Sequence, residues 1–296
     1  MKISSSVLWK AKDHPVLNRI IFIIKVAFVI FLLGLIYYPI LIWMWQRWFA
    51  ADSYYEHGPL IPIVSLVLIW LKRRELSSIS IQSSKLGIWI IIFGLLLHIA
   101  SALTRIYFIS AYSLFIVIIG IIVYFFGKKL TFTILFPLCF LLFMVPAPVA
   151  IIESTTLKMK LLTAHASVFI IQLLGTPVIR EGSTVYMPNT SVVVDDPCSG
   201  LKSLISLSAL GILFAYIVRA SYPRKVVLFL LSIPIALLAN MIRTTATLLI
   251  ANLYGNKIIT DGLLHKGFGL MVFVIAFAGL FLAGRLLKCR ISQDDT

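Results

Sequence analysis

Long apolar runs alternate with short polar segments along most of the chain. The runs typical of membrane-crossing helices cover residues 20–45, 60–71, 86–103, 107–126, 130–145, 199–218, 226–253 and 263–283. A bilayer core of about 30 Å needs roughly 20 residues of helix to cross it. The second run is shorter and contains Pro62, so it needs flanking residues, from Tyr55 onward, to span the bilayer. The pattern predicts about eight transmembrane helices.

The stretch before the sixth run has a different character. Residues 153–174 combine helical spacing of apolar positions with a glutamate, two lysines and His165. This mixture favours an amphipathic helix at the outer interface over a further span, and His165 is interpreted as an interfacial side chain. Residues 178–194 are rich in β-branched residues and contain turn residues around Pro188, which predicts a small outer hairpin.

The predicted fold is an all-α polytopic membrane protein that forms a single integral membrane domain over residues 1–296. Its predicted parts are spans one to five in residues 20–145, an extracytoplasmic amphipathic helix and hairpin in residues 150–197, spans six to eight in residues 198–285, and a cytoplasmic tail in residues 286–296.

Composition excludes a soluble domain. The chain is 60% hydrophobic and 12% charged, with a mean hydropathy of +1.04. A soluble protein of this length cannot bury so much apolar surface, whereas several membrane spans can. The chain therefore belongs in a cell membrane, either a plasma membrane or a bacterial inner membrane.

The formal net charge of +15 does not point to a nucleic-acid partner. The basic residues cluster at alternate ends of the apolar runs, as the positive-inside rule describes. Clusters that mark the cytoplasmic side include Lys72-Arg73-Arg74, Lys128-Lys129, Arg224-Lys225 and the group around Arg285. This distribution places both termini in the cytoplasm and predicts a lipid bilayer, and no nucleic acid, as the partner of these charges.

The three cysteines do not form a disulfide framework. Cys139 lies in an apolar run and Cys289 in a basic tail, and both are interpreted as structural or incidental. Cys198 lies at the junction of a polar loop and the sixth span. Asp196 can cap that helix and Pro197 suits its first turn, which would place Cys198 among unpaired N–H groups that favour the thiolate. The carboxylates of Asp195 and Asp196 oppose this effect, so the sequence leaves the sign of the net shift open. The alternative is a small hydrophobic residue at a helix start.

Three spans bring polar residues to the same predicted depth. At 1.5 Å per residue, Cys198 lies roughly 31 Å from Arg219, Arg243 roughly 27 Å from Lys225, and His265 roughly 30 Å from Arg285. These distances match the bilayer core of about 30 Å. All three residues are therefore predicted at the outer membrane boundary.

Cysteine, arginine and histidine have complementary roles in acyl transfer. A thiolate attacks the acyl carbon, a histidine transfers the proton, and an arginine stabilises the oxyanion. The alternative for Arg243 is that it extends to the outer headgroups. His57, in an outer loop, is a candidate to position substrate or to serve as an alternative base, and His98 is interpreted as packing without a nearby partner. The sequence contains no metal-ligand spacing and no phosphate-binding loop, so no metal or cofactor is predicted.

Five sequence elements, in order, resemble the exosortase/archaeosortase enzymes of prokaryotic membranes. They are His57-Gly58-Pro59-Leu60-Ile61-Pro62, Arg180-Glu181-Gly182, Cys198-Ser199-Gly200-Leu201, Asn240-Met241-Ile242-Arg243 and His265. The similarity extends from about residue 53 to the last span. Lys202 departs from the pattern, since many comparable members carry arginine there; the charge is kept but the bidentate fork is lost.

The resemblance implies a cysteine peptidase or transpeptidase with Cys198 as nucleophile, Arg243 as oxyanion stabiliser and His265 as acid/base. Substrate-binding or supporting roles are assigned to His57, Glu181, Ser199, Gly200, Lys202 and Asn240. Implied substrates are exported membrane proteins with a C-terminal sorting signal: a motif, a transmembrane helix and a basic cluster. The acyl-enzyme would pass to water or to an acceptor amine, with a lipid or the exopolysaccharide machinery as further partners. No cofactor is implied.

Two other functions are compatible with the membrane pattern. The first is a multi-pass transporter or channel in which Arg243 and the outer histidines bind an anionic solute. Such a protein is expected to show broken helices near the midplane and a repeat, and no repeat is visible. The second is a non-catalytic membrane assembly partner, which would tolerate the loss of Cys198.

Overall fold

The computed structural model describes residues 15–51, 53–195, 199–255 and 262–291, with the side chains of residues 15–19, 22, 262–266, 290 and 291 outside the description. Asp196, Pro197 and Cys198 lie outside the described residues. The chain divides into two compact units, one ending at Trp45 and the other beginning at Gln46.

The N-terminal helices are bent. Helix α1 spans Pro15–Ile36 and α2 spans Tyr38–Trp48, and the two axes meet at 68° around Tyr37. Pro39 explains the break, because its ring has no N–H and crowds the carbonyl four residues earlier. The predicted first span over residues 20–45 is therefore not one continuous helix.

The second unit is a helical assembly with two small sheets. Its helices are α3 (Leu60–Leu71), α4 (Arg73–Ser77), α5 (Leu86–Leu103), α6 (Tyr107–Phe126), α7 (Lys128–Thr133), α8 (Leu135–Phe140), a 3-10 turn (Leu141–Met144), α9 (Val149–Leu173), α10 (Leu201–Ile217), α11 (Tyr222–Tyr254) and α12 (Gly262–Leu286). Its strands are β1 (Ile179–Glu181), β2 (Thr184–Met187), β3 (Thr190–Val193), β4 (Val218–Arg219) and β5 (Arg290–Ile291).

The helical, membrane-spanning class predicted from the sequence is confirmed. Among the described residues, four helices are long and apolar enough to cross a bilayer, or up to six if each of two bent pairs counts as one span. Helices α3 and α10, predicted as spans two and six, have 12 and 17 residues. The count of eight, which depends on these short helices, stays a prediction.

The predicted fifth span over residues 130–145 is wrong as a continuous helix. The chain breaks at Ile134 into α7 and α8. Pro137 cannot donate to the carbonyl of Thr133, four residues earlier. That carbonyl accepts a hydrogen bond from Lys72 Nζ at 2.8 Å instead, so a side chain from the end of α3 replaces the missing helical bond.

Helices α5 and α6 form a tightly packed antiparallel pair. A Cβ atom at Gly87 would lie 2.5 Å from both the carbonyl oxygen of Gly120 and the amide nitrogen of Tyr124, so the two backbones touch. His98 Nδ1 contacts Ser110 Oγ across the pair at 2.5 Å. His98 was predicted to lack a nearby partner, and that interpretation is wrong because the α5–α6 turn brings Ser110 beside it.

The predicted outer hairpin is a three-stranded antiparallel sheet in the order β1-β2-β3. The additional strand precedes a turn at Gly182, whose positive φ of 61° glycine adopts readily. One face of the sheet packs on α9 and α11 in an apolar cluster with members Val168, Ile171, Val185, Val194 and Leu248. The sheet therefore covers one end of the α9–α11 pair.

Helices α10, α11 and α12 form the second core. Leu207, Ala239 and Val272, one from each helix, are buried together. At the opposite end from the three-stranded sheet, β4 pairs with β5, so the ends of α10 and α12 meet. Lys225 Nζ donates to the carbonyl of Tyr216 at 3.1 Å, and Lys72 Nζ lies 5.6 Å from the Tyr216 ring. The basic residues therefore gather at one end of the bundle.

The α5–α6 contact predicts a stability difference between two glycine substitutions. Gly87→Ala forces two backbones apart, and we expect it to destabilise the protein by about 1–3 kcal/mol. Gly34→Ala is the matched control, because a Cβ there meets nothing within 4 Å. Thermal unfolding in detergent measures both variants. Equal midpoints for the two variants would contradict the close packing.

Candidate active site

The first turn of α10 has a defined backbone geometry. The helix begins at Leu201, and Gly200 before it has a φ of +86°. Ser199 Oγ accepts a hydrogen bond from the Leu201 N–H at 3.3 Å, and Ser203 Oγ donates to the Gly200 carbonyl at 3.0 Å. The expectations that Asp196 caps this helix and that Pro197 occupies its first turn concern residues outside the described part of the chain.

Asn240 of α11 packs directly on Gly200. A Cβ at position 200 would lie 2.6 Å from Asn240 Cγ and would overlap the side-chain amide. Asn240 is 1% exposed, and its Nδ2 donates to Thr163 Oγ1 of α9 at 3.4 Å. Thr163 Oγ1 in turn donates to the carbonyl of Ser199 at 3.3 Å. Three helices therefore meet at the two residues that follow Cys198.

Arg243 lies one turn beyond Asn240 on α11. Its side chain is 7% exposed, which is not the position of a side chain that extends to the headgroups. Ala239, four residues earlier, packs in the core shared with α10 and α12, and residues four apart lie on one face of a helix. Position 243 therefore continues the face of α11 that α10 and α12 cover.

A second group of contacts lies on the other side of α10. Lys202 Nζ forms an ion pair with Glu56 Oε1 at 2.6 Å. One turn later, Ser206 Oγ contacts His57 Nδ1 at 3.1 Å. Burial lowers the pKa of His57 below its ordinary value, while the nearby Phe143 carbonyl and Glu56 oppose the shift. His57 is therefore neutral near pH 7.

Buried contacts hold the loop that carries His57. The Tyr55 hydroxyl accepts a hydrogen bond from the Ala147 N–H at 3.0 Å, and burial raises the pKa of this tyrosine. A Cβ at Gly58 would overlap the Trp48 indole, whose Nε1 donates to the Met144 carbonyl at 2.8 Å. Gly58 of the His-Gly-Pro element is therefore required for close approach of the indole ring.

The described residues bring together six of the predicted site residues around the start of α10 and the adjoining part of α11: His57, Ser199, Gly200, Lys202, Asn240 and Arg243. Cys198 and the side chain of His265 lie outside the described residues, although the backbone at position 265 belongs to α12. Glu181 is exposed at the first turn of the sheet, and His165 is exposed on α9.

Sequence reasoning missed three residues that contact this site. Ser206 follows Lys202 by four positions, so helical spacing gave a usable signal for it. Glu56 is adjacent to His57, so the argument that made His57 a candidate, its place in the same outer loop, applied equally to Glu56. Thr163 had no signal of this kind, because its contacts join α9 to residues 36 and 77 positions away.

Within the described residues, no group of three or more histidine, cysteine, aspartate or glutamate side chains is placed to hold a metal ion. The polar groups at the start of α10 are amide, hydroxyl, imidazole, ammonium and carboxylate groups. They supply hydrogen-bond donors and acceptors around the first two turns of α10, and Arg243, one turn beyond Asn240, is a buried basic residue of α11.

Comparison with known proteins identifies the family. Neither the curated proteins nor the solved structures give a significant match. The family model for the transmembrane exosortases (Exosortase_EpsH) matches residues 44–282, which is most of the chain and contains every residue of the site. This chain is a multi-pass membrane protein that belongs to the transmembrane exosortase family.

Proposed function

We propose that the protein is a cysteine transpeptidase or peptidase that cleaves exported membrane proteins at a C-terminal sorting signal. Family membership supports a protein-sorting role in general. The observation that supports this chemistry best is the packing around Ser199 and Gly200. Two buried side chains from two other helices fix the backbone next to Cys198.

The proposed reaction is acyl transfer through Cys198. The thiolate attacks the carbonyl carbon of the scissile peptide, and Arg243 stabilises the resulting oxyanion. The carbon–nitrogen bond then breaks, and His265 gives a proton to the leaving amine. A thioester remains on Cys198, and an acceptor amine or water attacks it and restores the thiol.

Helical heights support this grouping. Leu207, Ala239 and Val272 form one buried layer of α10, α11 and α12. From that layer toward the start of α10, Gly200 and His265 each lie seven residues away, or roughly 10 Å along a helix, and Arg243 lies four residues away, or roughly 6 Å. The backbone positions of all three residues therefore fall within one turn of the same height.

The charge distribution supports an extracytoplasmic site. Helix α10 carries the site at its first turn, and the side chains of Lys72 and Lys225 contact its last turn. Its 17 residues separate the two ends by roughly 25 Å. Under the positive-inside rule the basic end and both termini lie in the cytoplasm, and the site opens on the other face.

The proposed substrate fits this geometry. A protein with a motif, a transmembrane helix and a basic cluster would place its motif at the outer boundary when its cluster lies in the cytoplasm. The transporter alternative has less support. Bent helix pairs do occur elsewhere in the chain, but α11, which carries Asn240 and Arg243, continues through Pro234 from Tyr222 to Tyr254 without a break.

The first experiment is Cys198→Ala in cells that also express a candidate substrate from the same genome. We expect wild type to remove the C-terminal tail and Cys198→Ala to leave it intact, measured by gel mobility and mass. Cys139→Ala and Cys289→Ala are matched controls that keep Cys198. Equal trimming by Cys198→Ala and wild type would contradict the nucleophile assignment. The mass of the new C-terminus distinguishes transfer from hydrolysis.

Arg243→Lys keeps the charge but removes the planar fork. We expect a fall in the cleavage rate of about 10²-fold or more, the size seen when one oxyanion donor is lost. Membrane insertion and thermal stability serve as checks on folding, and Arg219→Lys, at the basic end of α10, is the control. Cleavage by Arg243→Lys at the wild-type rate would remove Arg243 from the oxyanion role.

The lowered pKa of His57 predicts a pH-dependent stability. Below about pH 6.5 the unfolded chain binds a proton at this residue more readily than the folded protein does. The stability that the neutral His57 contributes is therefore present above that pH and is lost as the pH falls. We expect the unfolding midpoint of wild type to fall more than that of His57→Gln between pH 7.5 and 5. Parallel curves for the two proteins would contradict the shift.

A further inference from the structure

Helix α9 contributes no group to the bond-making and bond-breaking steps proposed above. Its buried face carries hydroxyl groups at Thr156, Thr163 and Ser167. Two of the three have described partners: Thr156 Oγ1 donates to the Tyr54 hydroxyl at 3.3 Å, and Thr163 Oγ1 lies between Ser199 and Asn240. Thr163 is therefore a residue through which α9 reaches the candidate active site.

We propose that Thr163 is a positioning residue of the active site: its hydroxyl, held by the Asn240 amide, fixes the Ser199 carbonyl and thereby the backbone that carries Cys198. This inference rests on the proposed function, because it assigns Thr163 to the nucleophile of that reaction.

The hydrogen-bond chemistry of the hydroxyl supports this role. A threonine hydroxyl has one proton to donate and lone pairs to accept. Thr163 donates to the Ser199 carbonyl and accepts from Asn240 Nδ2, so one hydroxyl joins α9, α11 and the chain before α10. Thr163 is 2% exposed and Ser199 is fully buried, so water does not replace these bonds.

The contact acts at the residue next to the nucleophile. The Ser199 carbonyl is one peptide unit from Cys198, and the next residue, Gly200, is confined by its left-handed φ and by the Asn240 side chain. Catalytic groups lose about 10²-fold in rate when misplaced by about 1 Å. A hydroxyl that restrains this carbonyl therefore affects the rate of the chemical step more than the binding of a substrate helix elsewhere on the protein.

The path between α9 and α11 is continuous. Eight residues beyond Thr163 and eight residues beyond Asn240, Ile171 and Leu248 belong to one apolar cluster with the three-stranded sheet. The two helices therefore run side by side from the site to the sheet. Apolar packing holds α9 in place, and the hydrogen bond from the Thr163 hydroxyl then restrains the Ser199 carbonyl relative to α9.

The test compares Thr163→Val, which keeps the shape and removes the hydroxyl, with Thr163→Ser, which keeps the hydroxyl. Ser167→Ala is the matched control: this buried hydroxyl lies one turn further along α9 and has no hydrogen-bond partner among the described residues. Thr163→Ala, which cannot overpack the site, repeats the comparison if the valine variant fails to insert. All variants carry Cys139→Ala and Cys289→Ala, so that Cys198 is the only thiol.

Two rates are measured on the full chain in detergent. The first is substrate cleavage, for which we expect Thr163→Val to lower kcat by at least about tenfold with KM nearly unchanged. The second is alkylation of Cys198 by iodoacetamide between pH 6 and 9, which needs no substrate. We expect Thr163→Val to change the alkylation rate by at least about threefold relative to the parent that carries only Cys139→Ala and Cys289→Ala, and Thr163→Ser and Ser167→Ala to match that parent in both assays.

The outcomes separate this inference from the proposed function. An alkylation profile unchanged by Thr163→Val overturns the positioning role, whatever the cleavage assay gives. A loss in Thr163→Ser equal to that in Thr163→Val, or an equal loss in Ser167→Ala, also overturns it, because helix packing then explains the effect. If wild type cleaves no substrate while alkylation depends on the Thr163 hydroxyl, the proposed function fails, and what stands is that Thr163 positions the backbone beside Cys198.

Discussion

The contact between the Asn240 amide and the Gly200 backbone is the constraint on which the candidate site depends. It requires glycine for two independent reasons, since φ at position 200 is +86° and a Cβ would overlap the amide. A buried amide in an apolar bundle is costly unless it is hydrogen-bonded. Thr163 accepts one of its hydrogens, so the interaction that pairs this buried N–H also joins α9 to α11 beside the start of α10. Arg243, one turn away, is placed by the same helix.

A second constraint fixes the loop that carries His57, and it comes from the opposite side of the site. Tyr55 is 7% exposed and bonds to the segment before α9, and Trp48 lies against Gly58. These groups are large and mostly apolar, so their burial supplies more stability than the polar contacts they make. The loop that places the His57 imidazole against α10 is therefore fixed by Tyr55 and Trp48, which lie outside the site.

The length of the apolar runs predicted where helices occur, and the predicted runs that are broken in the structure contain prolines. The bounds of α5 and α6 match the predicted runs at both ends, because neither run contains a proline. Pro39 and Pro137 lie near breaks that hydropathy alone did not register, yet α11 continues through Pro234. At Pro137 the carbonyl of Thr133, which the proline leaves without its helical partner, bonds to Lys72, a residue 61 positions away, so local hydropathy gave no sign of that arrangement.

The site was predictable as far as its members belong to short motifs. Thr163 was not, for a reason that applies to any hydroxyl in an apolar helix. Such a side chain ordinarily bonds back to the carbonyl four residues earlier, as Thr131 and Thr247 do here. Thr163, like Thr131 and Thr247, is a threonine within a helix, so its sequence gives no sign that its hydroxyl bonds elsewhere. Only the packing of α9 against α11 reveals that its hydroxyl bonds to another segment.

The ion pair between Lys202 and Glu56 has to be judged by where it lies rather than by its length of 2.6 Å. The two side chains are 40% and 56% exposed, and a solvent-screened pair of this kind contributes about 0–1 kcal/mol to stability. Tyr55 and Trp48 would hold the loop without it. Its consequence is positional, because it holds the positively charged ammonium of Lys202 against the Glu56 carboxylate at the first turn of α10. An arginine at this position would retain the positive charge but would bind the Glu56 carboxylate through two donors. The difference between lysine and arginine therefore changes how the cation is oriented against Glu56, while Tyr55 and Trp48 still hold the loop in place.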